Sequence, residues 1–195
     1  MTGETREVRK TRPPHAERSG MPMKRGYIQI YTGSGKGKTT AALGLALRAV
    51  GHGLRVCMVQ FMKNDRHVGE VLAARLLAPN LSIFPMGPRG FIRDTPRPVD
   101  VQMAREALEF SRRSIEEEKN DLIILDEINV ALHFGLLTLG DVLGLIDLKP
   151  RSTELILTGR DAPPELIKRA DLVTEMTAVK HYFDRGVQAR KGIEW

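Results

Sequence analysis

The stretch that most constrains this chain is Thr32-Gly33-Ser34-Gly35-Lys36-Gly37-Lys38-Thr39-Thr40, which has to join a strand to a helix. Ahead of it, residues 27–31 (YIQIY) form a short, mostly apolar strand. Behind it, residues 41–50 (AALGLALRAV) read as a helix, which Gly51-His52-Gly53 stops with glycine past its end. Glycine at 33, 35 and 37 lets successive backbone N–H groups converge on one anion, and the helix N-terminus adds positive potential. Lys38 neutralises outer phosphates, and the Thr39 hydroxyl is placed to ligate Mg²⁺. The usual spacing is G-x-x-x-x-G-K-[ST]. Here Thr32 holds the first glycine position, Gly33 comes one residue late, and Lys36 adds a further positive charge. The segment therefore reads as an ATP-binding loop, with contacts expected from Thr32, Gly33, Ser34, Gly35, Lys36, Gly37, Lys38, Thr39 and Thr40.

The remaining pattern alternates strands and helices. Strands are expected at 54–61 (LRVCMVQF), 81–86, 122–125, 154–157, 172–176 and 179–182. Helices are expected at 68–77, at 101–119, from about Thr138, and from Pro163-Pro164 through 169. Thr138 and Asp141 have capping-box spacing, and proline is tolerated in a first helical turn. Such alternation predicts a mostly parallel sheet covered on both faces, a three-layer α/β fold of the P-loop NTPase, RecA-like kind. The apolar strand at 122–125 ends in Asp126-Glu127. Carboxylates at that edge, beside the loop strand, can hold Mg²⁺ directly or through water. Strand order is not readable from the pattern.

At 195 residues the chain suits one domain, 26–195, behind an arm at 1–25 that shows no periodicity and contains Pro13-Pro14 and Ser19-Gly20. Seven basic residues against three glutamates give this arm +4 of the formal net charge of +6. Such an arm could touch nucleic acid, stay solvated, or order over an anion or a neighbouring subunit. Cys57 is the sole cysteine, so an internal disulfide and a cysteine-built metal site are excluded. His52, His67 and His133 lack metal-ligand spacing. No apolar run is long enough to cross a bilayer and no signal peptide is evident, so a cytoplasmic protein is expected, with no membrane partner.

Residues 26–53, Val59-Gln60-Phe61, 122–129, 155–160, and Val179-Lys180-His181 with 186–192 together resemble the P-loop type of ATP:corrinoid adenosyltransferase of the cobalamin pathway. The shortened T-G-x-G-K-G-K-T-T loop, D-E-I-N, T-G-R and V-K-H…G-V-x-A-x-x-G-I carry the likeness, so the late glycine becomes a family mark. The resemblance implies transfer of the 5′-deoxyadenosyl group of ATP to Co(I) of a reduced corrinoid, with release of triphosphate. It implies Lys38 and Arg160 as catalytic residues, Arg48 and Arg160 as further nucleotide contacts, and Thr39, Glu127 and Asp126 around Mg²⁺ or Mn²⁺. It also implies a homodimer and a flavoprotein reductase as electron donor, with nucleic acid not expected as a partner. In the family an aromatic G-F-x-W-like segment presses on the corrinoid's lower face. Here Phe91 matches, while Arg93 stands where a tryptophan is expected. Two other readings remain: a recombinase-like ATPase with Glu127 as hydrolytic base and Arg160 as phosphate sensor, and a non-catalytic carrier.

Overall fold

A computed structural model describes residues 23–88, 92 and 95–194. The expected arm lies almost wholly outside these residues, as do Phe91 and Arg93. In chain order the elements are β1 (Ile28–Thr32), α1 (Lys38–Gly51), β2 (Val56–Gln60), α2 (Gly69–Leu76), β3 (Leu81–Pro85), α3 (Pro98–Glu116) and β4 (Leu122–Asp126). There follow α4 (Ile128–His133), α5 (Leu139–Leu148), β5 (Glu154–Thr158), α6 (Pro164–Arg169), β6 (Leu172–Glu175) and a 3-10 turn at Phe183–Arg185.

Six strands form one sheet in the order β3-β2-β4-β5-β1-β6, and every pairing is parallel. Parallel strands need both faces covered, and the strand sequences supply apolar side chains to both. Ile30, Val59, Ile123, Leu125 and Leu157 pack with α3, α5 and α6 residues such as Ala107, Leu145 and Leu166. Met58, Leu122, Ile124 and Ile156 pack on the other face against Ala42, Ala46 and Ala49 of α1 and Ala74 of α2. The alanine row of α1 has helical spacing, so that helix lies close against the sheet and its N-terminus stays fixed above β1.

Two sequence expectations need correction. Asp126 is not beside the loop strand: β5 lies between β4 and β1, with Ile123 paired to Leu155 and Ile28 paired to Leu155 from the other side. The expected strand at 179–182 is absent. Instead of ladder bonds there are local ones, Val179 N–H to the Thr177 carbonyl (3.2 Å) and Val187 N–H to the Tyr182 carbonyl (3.2 Å), and Val179 is 88% exposed. The capping box is present: the Asp141 carboxylate accepts the Thr138 N–H (2.8 Å), and the Thr138 hydroxyl accepts the Asp141 N–H (3.2 Å).

Because all strands run the same way, the C-terminal ends of β1, β2, β4 and β5 open on one edge. Gln60 and Asp126 are register partners there. Crevices for ligands in open parallel sheets lie at this edge.

Candidate active site

The phosphate loop leaves β1 and is packed against the chain that follows β6. Gly35 N–H donates to the Met176 carbonyl at 2.6 Å. A Cβ at Gly35 would lie 2.7 Å from that oxygen and 2.8 Å from the Thr177 carbonyl carbon. At Gly33, where φ is +94°, a Cβ would come within 2.5 Å of the same oxygen. These glycines therefore do more than expose N–H groups: they let two backbones touch, and the Gly35 N–H is committed to Met176.

The Lys38 ammonium donates to the carbonyls of Gly33 (2.7 Å) and Gly35 (2.8 Å). It is held in the loop at the start of α1, where its charge adds to the helix N-terminal potential. Burial lowers its pKa; Glu127, the next largest influence, works against this and Arg160 adds to it.

Behind the loop stands Asp126, fully buried. One carboxylate oxygen, Oδ1, accepts the hydroxyls of Thr39 and Thr158, both at 2.8 Å. The other, Oδ2, faces the Gln60 amide (3.3 Å) and the Lys63 ammonium (3.3 Å). Gln60 Nε2 and Lys63 Nζ also reach Glu70 Oε1, at 3.3 and 3.4 Å. The amide nitrogen of Gln60 must be the atom turned to these carboxylates, since its oxygen there would be repelled. Gln60 Oε1 is consequently left buried without a partner.

Glu127 sits in the left-handed region, with φ 61° and ψ 22°, and starts α4. Its N–H donates to Thr158 Oγ1 at 2.9 Å. A left-handed non-glycine residue costs about 1–2 kcal/mol. The bend turns the chain between the buried Asp126 and a Glu127 that lines the cleft. Burial, and then the neighbouring Asp126, raise the Glu127 pKa, opposed by Lys63, Lys38 and Arg160.

Lys38, Thr39, Lys63, Glu70 and Glu127 border a cleft of about 740 Å³, within the range of small-molecule sites. Of the expected residues, Ser34, Gly35, Lys36, Gly37, Lys38, Thr39, Thr40, Glu127 and Arg160 line it. Thr32 is buried below, its hydroxyl accepting the Ala162 N–H at 3.3 Å. Arg48 stands apart: it is exposed in the last turn of α1, and ten residues of helix put it about 15 Å along the axis from Lys38. Reading the sequence missed Lys63 and Glu70 on the near wall, and Glu194, which meets Lys36 at 2.9 Å. A usable signal was present in Gln60, a polar residue closing an apolar strand as Asp126 does.

No group of three or more His, Cys, Asp or Glu among the described residues could hold a metal by itself. The donors here are all oxygens: a threonine hydroxyl and one or two carboxylates at a phosphate loop. That set fits Mg²⁺, which takes few protein ligands and completes its shell with substrate phosphates and water.

A phosphate loop at the crevice of an all-parallel α/β sheet defines a P-loop nucleotide-binding protein. The flagellar accessory protein FlaH of Methanocaldococcus jannaschii shares the fold, with a TM-score of 0.52 at 15% identity over 81% of this chain and 74% of that one. The family described as ATP:corrinoid adenosyltransferase BtuR/CobO/CobP matches residues 24–195, and this chain belongs to it. Corrinoid adenosyltransferases of Pseudomonas aeruginosa and Escherichia coli K12 are each 39% identical over 172 residues. The match covers 88% of this chain and 84% and 86% of theirs. The Salmonella typhimurium protein is 37% identical over the same share.

Proposed function

We propose that the chain transfers the 5′-deoxyadenosyl group of ATP to the cobalt of a reduced corrinoid and releases triphosphate. The observation that carries this is the crowding of Lys36, Lys38, Lys63 and Arg160 around one phosphate loop. Four cations suit a reaction in which a whole triphosphate departs and its charge must be stabilised as it develops. In balanced form, the Co(I) electron pair makes a bond to C5′, the C5′–O bond breaks, and its electrons leave with the triphosphate. The nucleophile arrives with the second substrate, so no protein nucleophile is called for. Cys57 is suited to none: it is buried, and its thiol is pushed up to about 11.

In this reading Lys38 and Arg160 stabilise the leaving phosphates, and the loop residues hold the triphosphate. Glu127 and Thr39 would hold Mg²⁺, with Asp126 fixing Thr39, and the ion would supply positive charge to offset that of the phosphates. Arg48, far along α1, serves another site or another subunit. The corrinoid approaches by the segment carrying Phe91 and Arg93. Support comes from the root of that segment, where Gly87 N–H donates to the Lys63 carbonyl (2.8 Å) and the Asn64 amide to the Gly87 carbonyl (2.8 Å). That root is tied to the same turn that carries Lys63.

The enzyme works in the cytoplasm, with a flavoprotein reductase supplying electrons for Co(I), and as a homodimer. The dimer is supported by β6, an edge strand exposed at all four residues, with Leu172 45% and Val173 40% exposed. No helix among the described residues is long and apolar enough to cross a membrane.

The test is incubation with ATP, Mg²⁺ and chemically reduced cobalamin, followed by the spectrum of light-sensitive alkylcobalamin. Its appearance only with all three components is the expected result. No spectral change from folded protein would refute the activity.

A further inference from the structure

The segment Val179-Lys180-His181 with residues 186–192 stood out in the sequence, and phosphate binding leaves it without a role. In the fold it returns to the cleft, where His181, Gly192, Ile193 and Glu194 join the phosphate loop as lining. Glu194 is the node of this return. Its Oε1 accepts from Lys36 Nζ at 2.9 Å and from the Arg190 guanidinium at 3.2 Å. Its Oε2 accepts the Arg190 backbone N–H at 2.8 Å and Nε at 3.3 Å. Arg190 in turn lies over the Tyr182 ring, 5.0 Å from its centroid. Arg190 first, and then Lys36, hold the Glu194 carboxyl down at about 2, so it is ionised throughout the working range.

Lys36 lies inside the phosphate loop, between Gly35 and Gly37. An ammonium has three donors; two are directed at Glu194 and at the Ile193 carbonyl (3.4 Å). The pair is half open to water, with side-chain exposures of 40% and 20%, so the contact is exchangeable rather than locked. A carboxylate at the mouth of an anion site competes with phosphate oxygens for the same ammonium, and a triphosphate carries the larger charge.

We propose that Glu194 is a positioning residue for the transfer: it holds Lys36 at the mouth of the loop, yields it to the outer phosphates of ATP, and recaptures it as triphosphate leaves. This rests on the reading that the loop grips a triphosphate. The C-terminal segment thereby acts on product release, while Lys38 and Arg160 act on the chemistry.

The experiment titrates inorganic tripolyphosphate with Mg²⁺ into the full chain, its E194Q and K36A variants, and the double variant, by calorimetry. E194Q removes the competitor and should bind tripolyphosphate about two- to fivefold tighter, the range for a partly exposed ion pair. In the K36A background the same substitution should change nothing. In turnover E194Q should lower KM for ATP and kcat together, a split that simple loss of structure would not give. Equal or weaker binding by E194Q, or a gain that persists without Lys36, would overturn the exchange. Absence of tripolyphosphate binding by the wild type would instead overturn the phosphate site itself, and this proposal with it.

Discussion

Replacing Asp126 by Asn keeps the shape of the side chain and tests whether the carboxylate is the hub of the site. Its two oxygens face four donors: the Thr39 and Thr158 hydroxyls on one, and Gln60 Nε2 and Lys63 Nζ on the other. An amide can satisfy only one side. With its NH₂ toward Gln60 and Lys63, donors meet donors. Turned about, it requires both threonine hydroxyls to reverse, while Thr158 already accepts the Glu127 N–H. Either way two contacts are lost at a fully buried position: those to Gln60 and the Lys63 ammonium in the first pose, or those to the two threonine hydroxyls in the second. At about 1–3 kcal/mol for each unsatisfied buried group, reduced by the smaller desolvation cost of a neutral side chain, about 3 kcal/mol should be lost. For a chain of this size that is a drop of about 6–12 °C in Tm. Urea unfolding should show a lower midpoint at unchanged slope, since the same surface is exposed. A variant as stable as wild type would refute the hub, and would mean that burial of the charge costs as much as its four partners return.

Three further outcomes follow from the geometry. Lys38→Ala should lower kcat/KM for ATP about 10²- to 10³-fold while the chain stays folded, and near-normal ATP affinity in that variant would count against the site. Gly35→Ala forces a Cβ against the Met176 and Thr177 backbone, so the loop and the segment after β6 must part. About 1–3 kcal/mol of stability should go, with ATP affinity falling alongside, and crystallised variants should show the two segments separated. Glu127→Gln tests the raised carboxyl. Because the native state holds that proton more tightly than the unfolded chain, wild-type stability from this group is fullest below pH 4.5 and is lost as pH rises through the folded value. In metal-free buffer the variant should therefore gain Tm over wild type toward neutral pH and converge with it toward about pH 4. A pH-independent difference would reject the assignment.

The strand–loop–helix unit from β1 to α1 was legible because its constraints are local: a strand before, a helix after, and glycines and lysines between. Element types were mostly legible for the same reason, as with the alanine row of α1 and the cap at Thr138. What escaped depends on distance in sequence. That Gln60, Lys63 and Glu70 would gather around Asp126 follows from the pairing of β2 with β4, which local pattern does not encode. Lys36 and Glu194 are 158 residues apart. The helix α4 was missed because six residues after a left-handed Glu127 are too few for periodicity to register. Residues 179–182 resemble a strand by composition, yet β1 is already paired on both sides, and the chain after β6 turns to pack against the loop at Gly33 and Gly35 instead of adding a strand.

In the proposed reaction the loop grips a triphosphate as a leaving group. Phosphorus NMR of a single turnover with ATP, Mg²⁺ and reduced corrinoid tests it most directly. One intact triphosphate is expected for each cobalt–carbon bond formed, and none when the corrinoid is omitted. Orthophosphate appearing with ADP, with or without the corrinoid, would contradict it.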